Sequence, residues 1–265
     1  MRTQTTIAAL AVLAACGGGG SDNTAPPPNN PPPTGTTAIG DVQGAGTSSP
    51  LDGQAVTIEG VVTGDFQEND ADDRRNLRGF YVQGVPDGDL DTSDALFVFD
   101  GVNPAIDVQV GDTVEVSGTV QEYFGETQVE ASTVRVTGNG AVLPLPLSLP
   151  AADTVNNSDG EAIPDLERYE GMLVEFSDTL TVTQLYSLGR FGEVSLAQGG
   201  RPFQFTNDNA PDDAGFDAHL DEVARRTIIL DDGMSVQNPD DIHYLEAGPD
   251  PDYSIRLGDT LTGLT

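Results

Sequence analysis

Alternation of apolar and polar positions sets in near Ile39 and governs most of the chain that follows. In QAVTIEGVVTG (54–64), Val56, Ile58, Val61 and Val62 trace a strand with a glycine where the alternation breaks, the mark of a bulge or a sharp coil. GFYVQ (79–83) and ALFVF (95–99) read as two further strands on either side of an acidic loop. Gly111-Asp112-Thr113 turns into a cleanly alternating run over 114–120, and 128–136 closes the set. Five strands in about 80 residues, coiled by internal glycine, predict a small Greek-key barrel of the OB type.

Pro144, Pro146 and Pro150 space the connector LPLPLSLP, which predicts an edge or an extended linker because proline cannot donate to a ladder. A second, strand-rich module follows, with strands expected near 169–176, 191–197, 226–230 and from Ile255 onward. One short helix is expected over 211–225, with Phe216, Leu220 and Val223 on one face, Asn209 as its cap, and Arg225 and Arg226 complementing the dipole at its end. Val110-Gly111-Asp112-Thr113-Val114 recurs as Leu257-Gly258-Asp259-Thr260-Leu261, which favours two related barrels over one irregular sandwich. The expected fold class is therefore mainly β: two tandem OB-like Greek-key barrels after a disordered linker, the second carrying a short helix and incomplete.

The N-terminus is of another kind. Arg2 precedes the apolar run Ile7-Ala8-Ala9-Leu10-Ala11-Val12, and Leu13-Ala14-Ala15-Cys16 follows. A positive start, a run too short to span a bilayer and small residues before a cut predict a secretory signal. Leu-Ala-Ala-Cys resembles the lipobox of bacterial lipoproteins, which implies lipidation of Cys16 and a membrane partner through that lipid. Gly17 rather than Asp follows Cys16, which directs the expectation to the outer membrane or the cell surface. The next stretch is rich in Gly, Ser and Pro and offers no apolar residue to a core, so it is a tether. The expected organisation is signal 1–15, tether 16–38, first barrel 39–142, linker 143–168 and second module 169–265.

Charge narrows the function classes. The chain has 43 acidic residues against 11 basic ones, all of them arginine, for a net charge of −32. This argues against a general grip on nucleic acid, which clustered Lys and Arg drive. It suits a surface exposed to salt, or one holding weak Ca²⁺ sites. One cysteine excludes an internal disulfide framework, and two histidines leave little room for histidine chemistry. The most pointed candidate is the loop Asp87-Gly88-Asp89-Leu90-Asp91-Thr92-Ser93-Asp94, where Asp87, Asp89, Asp91 and Asp94 offer oxygens to Ca²⁺ and Asp70, Asp72 and Asp73 stand nearby in sequence. The loop lacks the EF-hand glycine and closing acid, and a solvated acidic turn is the competing reading. Arg74, Arg75 and Arg78, followed by Phe80 and Tyr81, form the one basic cluster, and Arg beside Tyr81 suits a phosphate with a stacked base. The competing reading is that these arginines neutralise Asp72 and Asp73 while Phe80 packs inside the barrel. Tyr123 and Phe124 invite the same pair of readings, and their place at a hairpin end suggests packing.

The stretch DVQGAGTSSPLDGQAVTIEGVVTGDFQ, then GFYVQ, DGDLDTSDALFVF and VGDTVEVSGTVQEYFGETQ, resembles the N-terminal region of bacterial extracellular nucleases. LERYEGMLVEFSDTLTVTQLYSLGRFGEVSLAQGGR and IILDDGMSVQNPD resemble the segment that follows in the same family. The resemblance implies OB-like regions ahead of an endonuclease/exonuclease/phosphatase domain that hydrolyses DNA with a divalent metal. Neither His219 nor His243 fits that domain's motifs, so no catalytic residue carries over and Mg²⁺ or Mn²⁺ is expected only in such a domain. Two functions stay open: the non-catalytic part of a surface or secreted nuclease, positioning the catalytic domain and its DNA, and a stand-alone surface lipoprotein that binds a ligand or Ca²⁺. Gly258-Asp259-Thr260 is followed by only five residues where its counterpart is followed by about two strands. The expectation is that the polypeptide continues through a closing hairpin into the nuclease domain.

Overall fold

The alternation over 54–136 becomes a closed five-stranded barrel in the computed structural model of the chain. Residues 35–68, 75–157, 160–239 and 255–265 are described. Cys16, Asp70, Asp72, Asp73, Arg74 and His243, with the signal and most of the tether, lie outside the described residues. The chain divides into two compact units, one built from the barrel and the segment Glu167–Leu173, the other from Leu145–Leu166 and Val174–Thr265.

In the first unit, helix α1 (Ile39–Gln43) precedes strands β1 (Ala55–Phe66), β2 (Gly79–Gln83), β3 (Ala95–Phe99), β4 (Asp112–Tyr123) and β5 (Glu126–Asn139). The barrel order is β1-β2-β3-β5-β4, with β4 returning to β1 and only β3·β5 parallel. This is the OB arrangement expected from the sequence, with β4 and β5 longer than the alternation alone predicts. Val56, Ile58, Phe80, Val82, Leu96, Val98, Val114, Val116 and Val120 fill the interior, and α1 adds Ile39 and Val42. Helix α1 had no counterpart in the sequence reading: five residues without a side-chain cap hold together because two of them enter the core.

Strands β2 and β3 are buried on both faces. Tyr81 packs edge-on against Phe66 and tilted against Phe97, outside the barrel interior. The returning segment Glu167–Leu173 lies over this face. Gly171, at φ 67°, sits where a side chain would stand 3.3 Å from the Leu96 backbone and 3.2 Å from Tyr81. The Leu173 N–H donates to Gln83 Oε1 at 3.0 Å. The β4–β5 hairpin turns through Phe124 and Gly125, both at positive φ, as a two-residue turn of a twisted hairpin requires. Tyr123 and Phe124 do not pack into the core there. Each is more than half exposed, and they stack on each other edge to face at 4.6 Å.

The second unit contains β6 (Leu145–Leu147), β7 (Thr154–Asn156), β8 (Ala162–Pro164), β9 (Val174–Phe176), β10 (Leu180–Gln184), α2 (Leu188–Phe191), β11 (Val194–Gln198), α3 (Asp213–Arg225), β12 (Thr227–Leu230) and β13 (Thr260–Leu261). β6 and β9 form a parallel pair, and β7 and β8 an antiparallel one. The main sheet is open, in the order β12-β11-β10-β13. That order repeats β3-β2-β1-β4 of the barrel strand for strand.

The repeated turns confirm the correspondence. Gly111 and Gly258 both take positive φ, and their N–H groups donate to Val62 O and Val182 O, each at 2.9 Å. Asp112 accepts from the Gln109 N–H and Asp259 from the Arg256 N–H. A register shift follows Val62 in β1 and Val182 in β10. The Gly-Asp-Thr echo is thus one turn built twice. Helix α3 is the short helix expected from the sequence, but its cap is Asp212, whose carboxylate accepts from the Gly215 N–H at 2.8 Å, and not Asn209. Arg225 and Arg226 close it, pairing with Asp221 and Glu222 one turn back.

Candidate functional site

The acidic loop joins β2 to β3, and its carboxylates bind the loop's own backbone. The Asp89 N–H donates to Asp87 Oδ1 at 2.7 Å, the Asp91 N–H to Asp89 Oδ1 at 3.0 Å, and the Asp87 N–H to Asp94 Oδ1 at 3.2 Å. The first two are successive Asx turns, the conformation short acidic side chains favour, and the third ties the start of the loop to its end. Asp94 is buried, and burial, with the Asp87 charge adding to it, pushes its carboxyl above the usual range. Asp87 and Thr92 pack against Gly40 of α1, where a larger residue has no room. Among the described residues, no group of three acidic, His or Cys side chains is gathered as metal ligands.

A Ca²⁺ titration of thermal melting separates a site from a solvated turn. In Asp89→Asn a true site loses most of any rise in melting temperature, whereas general screening of a surface at −32 leaves the rise intact. Because the turns are already closed on their own N–H groups, the expected result is an unchanged rise in the mutant.

Of the basic cluster, the described residues Arg75 and Arg78 turn to protein partners. Arg75 lies over the Phe66 ring at 5.6 Å, and Arg78, held at φ 62°, pairs with Glu68 at 3.5 Å. Tyr81 is 4% exposed and its hydroxyl donates to Glu126 Oε1 at 2.7 Å. No base reaches that ring without breaking the packing around it, which corrects the reading of Tyr81 as a nucleic-acid contact. Phe80 is fully enclosed, as the competing reading required.

The structure brings together a set of carboxyl groups that the sequence did not single out. Glu170, carried by the returning segment, accepts from the Thr127 N–H at 2.9 Å and from Gln43 Nε2 at 3.2 Å. Gln43 also donates to Ala95 O at 2.6 Å, and Ser93 donates to Glu170 O at 2.6 Å, which ties the end of the acidic loop to the same place. Glu122 accepts from the Thr127 hydroxyl at 2.8 Å and from the Ser49 N–H at 2.6 Å. Burial is the first cause that lifts Glu170, and the charges of Glu126 and Glu167 add to it. Its carboxyl is pushed up to about 8, against the hydrogen bonds that favour its ionised form. Burial also raises Glu126, against the Tyr81 hydroxyl. The arrangement holds a proton at neutral pH on a carboxyl group. One glutamate among 43 acidic residues carries no signal in the sequence, and only the fold of 167–173 back onto the barrel sets it apart.

The second unit has its own pair. Asp231 is pushed to about 7 and Asp232 to about 6, each first by burial, with the Glu193 charge adding to both. Asp231 accepts from the Gly233 N–H and Asp232 from the Met234 N–H, so this is the turn leaving β12. His219 stands on α3 with Nε2 2.9 Å from Phe203 O and its ring beside Phe205. No helix among the described residues is long and apolar enough to cross a membrane. The chain matches no protein-family model and no curated protein sequence.

Proposed function

We propose that this chain is the non-catalytic part of an extracellular or cell-surface nuclease, lipid-tethered at Cys16, whose two OB-type modules position a metal-dependent phosphodiesterase domain carried in the same polypeptide. What supports the reading is where the resemblance falls. GFYVQ is β2, ALFVF is the whole of β3, and VGDTVEVSGTVQEYFGETQ is the turn, β4 and the hairpin into β5. Apart from the acidic loop Asp87–Asp94, the residues in that pattern are sheet and turn residues, which suits a role in building the barrel. Charge points the same way: a surface at −32 positions a partner domain better than it grips phosphate.

A plasmid-nicking assay on pure protein tests the proposal. No nicking is expected with Mg²⁺, Mn²⁺ or Ca²⁺. Nicking abolished by His219→Ala or His243→Ala would place a catalytic centre in the chain and overturn the reading.

A further inference from the structure

Helix α3 and the segment before it frame an apolar groove in the second unit, of about 500 Å³, lined by Phe203, Phe205, Phe216, His219, Leu220 and Val223. Its walls are left open to water: Phe203 is 65%, Phe216 45% and Leu220 48% exposed. Phe205 holds the floor, edge-on to Phe216 at 6.2 Å and tilted to His219 at 5.8 Å. The His219–Phe203 contact links the helix to the opposite wall. Exposed apolar side chains occur elsewhere on the chain, but here three of them share one concavity.

The charge around the groove selects its occupant. Asp213 and Asp217, both exposed, stand one turn apart on α3 beside Phe216 and Leu220, while Asp221 at the next step is taken up by Arg225 and Thr154. Asp212 caps the same helix, and exposed Asp208 lies between it and Phe205. The arginines of α3 and its C-cap are engaged, Arg225 with Asp221 and Arg226 with Glu222. Exposed Arg201 is the remaining cation just ahead of the groove residues in sequence. An apolar trough flanked by carboxylates repels DNA and anionic lipid. It matches a helix with an apolar stripe between rows of Lys or Arg.

We propose that this groove docks a cationic amphipathic helical peptide. Its apolar residues at i, i+3 or i+4, and i+7 enter between Phe203 and Leu220, and its basic residues meet Asp213 and Asp217. This function is separate from the positioning of a nuclease domain and stands on different residues.

Isothermal titration calorimetry of the full chain with three 14-residue probes tests it: a Leu/Lys peptide patterned for one apolar helix face, a scramble of the same composition, and a Leu/Glu counterpart. The patterned Leu/Lys peptide is expected to bind, at least about tenfold more tightly than the scramble, and the Leu/Glu peptide to give no heat. Phe203→Ser and Leu220→Ser, both at exposed positions and both leaving the charge untouched, should each weaken binding about tenfold or more with an unchanged melting temperature. Equal binding of the scramble, or unchanged affinity in both variants, would mean diffuse attraction to the acidic surface and overturn the proposal. Absence of heat from the patterned Leu/Lys peptide would overturn it as well. So would sedimentation showing self-association that Leu220→Ser abolishes, since a second copy of the chain would then be the occupant.

Discussion

Replacing Glu170 by Gln is expected to stabilise the first barrel at pH 8 by about 2–3 kcal/mol and to flatten its dependence on pH. The unfolded chain loses the Glu170 proton near the ordinary value of 4.5, whereas the folded barrel holds it to about 8. Between those values the native state binds more protons than the unfolded one, so stability falls as pH rises. The contribution is fully present below about pH 4.5 and lost on the way to pH 8. Gln is the neutral form made permanent: its carbonyl still accepts from the Thr127 N–H and from Gln43 Nε2.

Other carboxylates on so acidic a chain repel one another more as pH rises, so the parent's slope alone does not isolate Glu170. The groups facing it, Glu122, Glu126, Glu167 and the Tyr81 hydroxyl, are common to both proteins. The measurement is therefore the difference between parent and Glu170→Gln in urea unfolding at pH 5 and pH 8, followed by hydrogen exchange in β2 and β3. Parallel slopes in the two proteins would show that Glu170 is ionised in the native barrel and that its burial is tolerated in another way.

Glu170 also shows what a sequence reading reaches and what it misses. Strands β1 and β4 of the first barrel were legible because Val56, Ile58, Val114 and Val116 alternate with less buried neighbours, and a period of two needs no tertiary information. β2 and β3, buried on both faces, fall on the expected residues for a different reason: GFYVQ and ALFVF are short, nearly continuous apolar runs flanking an acidic loop. The carboxyl cluster depends on a chain return across 127 residues between Gln43 and Glu170, which no local pattern encodes. Tyr81 misled for a related reason. An aromatic after three arginines looks like a stacking surface, but its outward face is covered by Gly171. In the second module β10 went unread although LTVTQ alternates, because it is short and bounded by no glycine or proline, while its partner β13 was found through the Gly-Asp-Thr turn. Asp212 displaced Asn209 as the helix cap because its extended backbone points the carboxylate at Gly215.

Gly118→Ala is expected to destabilise the first barrel by about 3 kcal/mol, although it adds a single methyl group. The two long strands share one pattern: Val56-x-Ile58-x-Gly60-x-Val62 in β1 and Val114-x-Val116-x-Gly118-x-Val120 in β4, with glycine at the third inward position. A side chain at Gly60 would lie 2.7 Å from Gln83 O. One at Gly118 would press inside van der Waals contact with Glu130 O, and 2.5 Å from Val129 Cγ1. Both glycines are therefore where a neighbouring strand's backbone crosses over an inward slot, which is how a five-stranded sheet coils tightly enough to close. Opposite Gly118 the register of β5 shifts, Ser117 pairing with Thr133 and Gly118 with Ala131. The strand cannot slide to make room, because Ser132 in that bulge donates to Ser117 O at 2.9 Å. Gly138, in the same pair of strands, has open space where its side chain would be. Gly138→Ala should stay within about 0.5 kcal/mol of the parent. Denaturant unfolding of the two variants beside the parent makes the comparison. A loss below about 1 kcal/mol in Gly118→Ala would mean that β5 gives way at the bulge, and that barrel closure rests on the β1–β4 pairing without the close approach of β5.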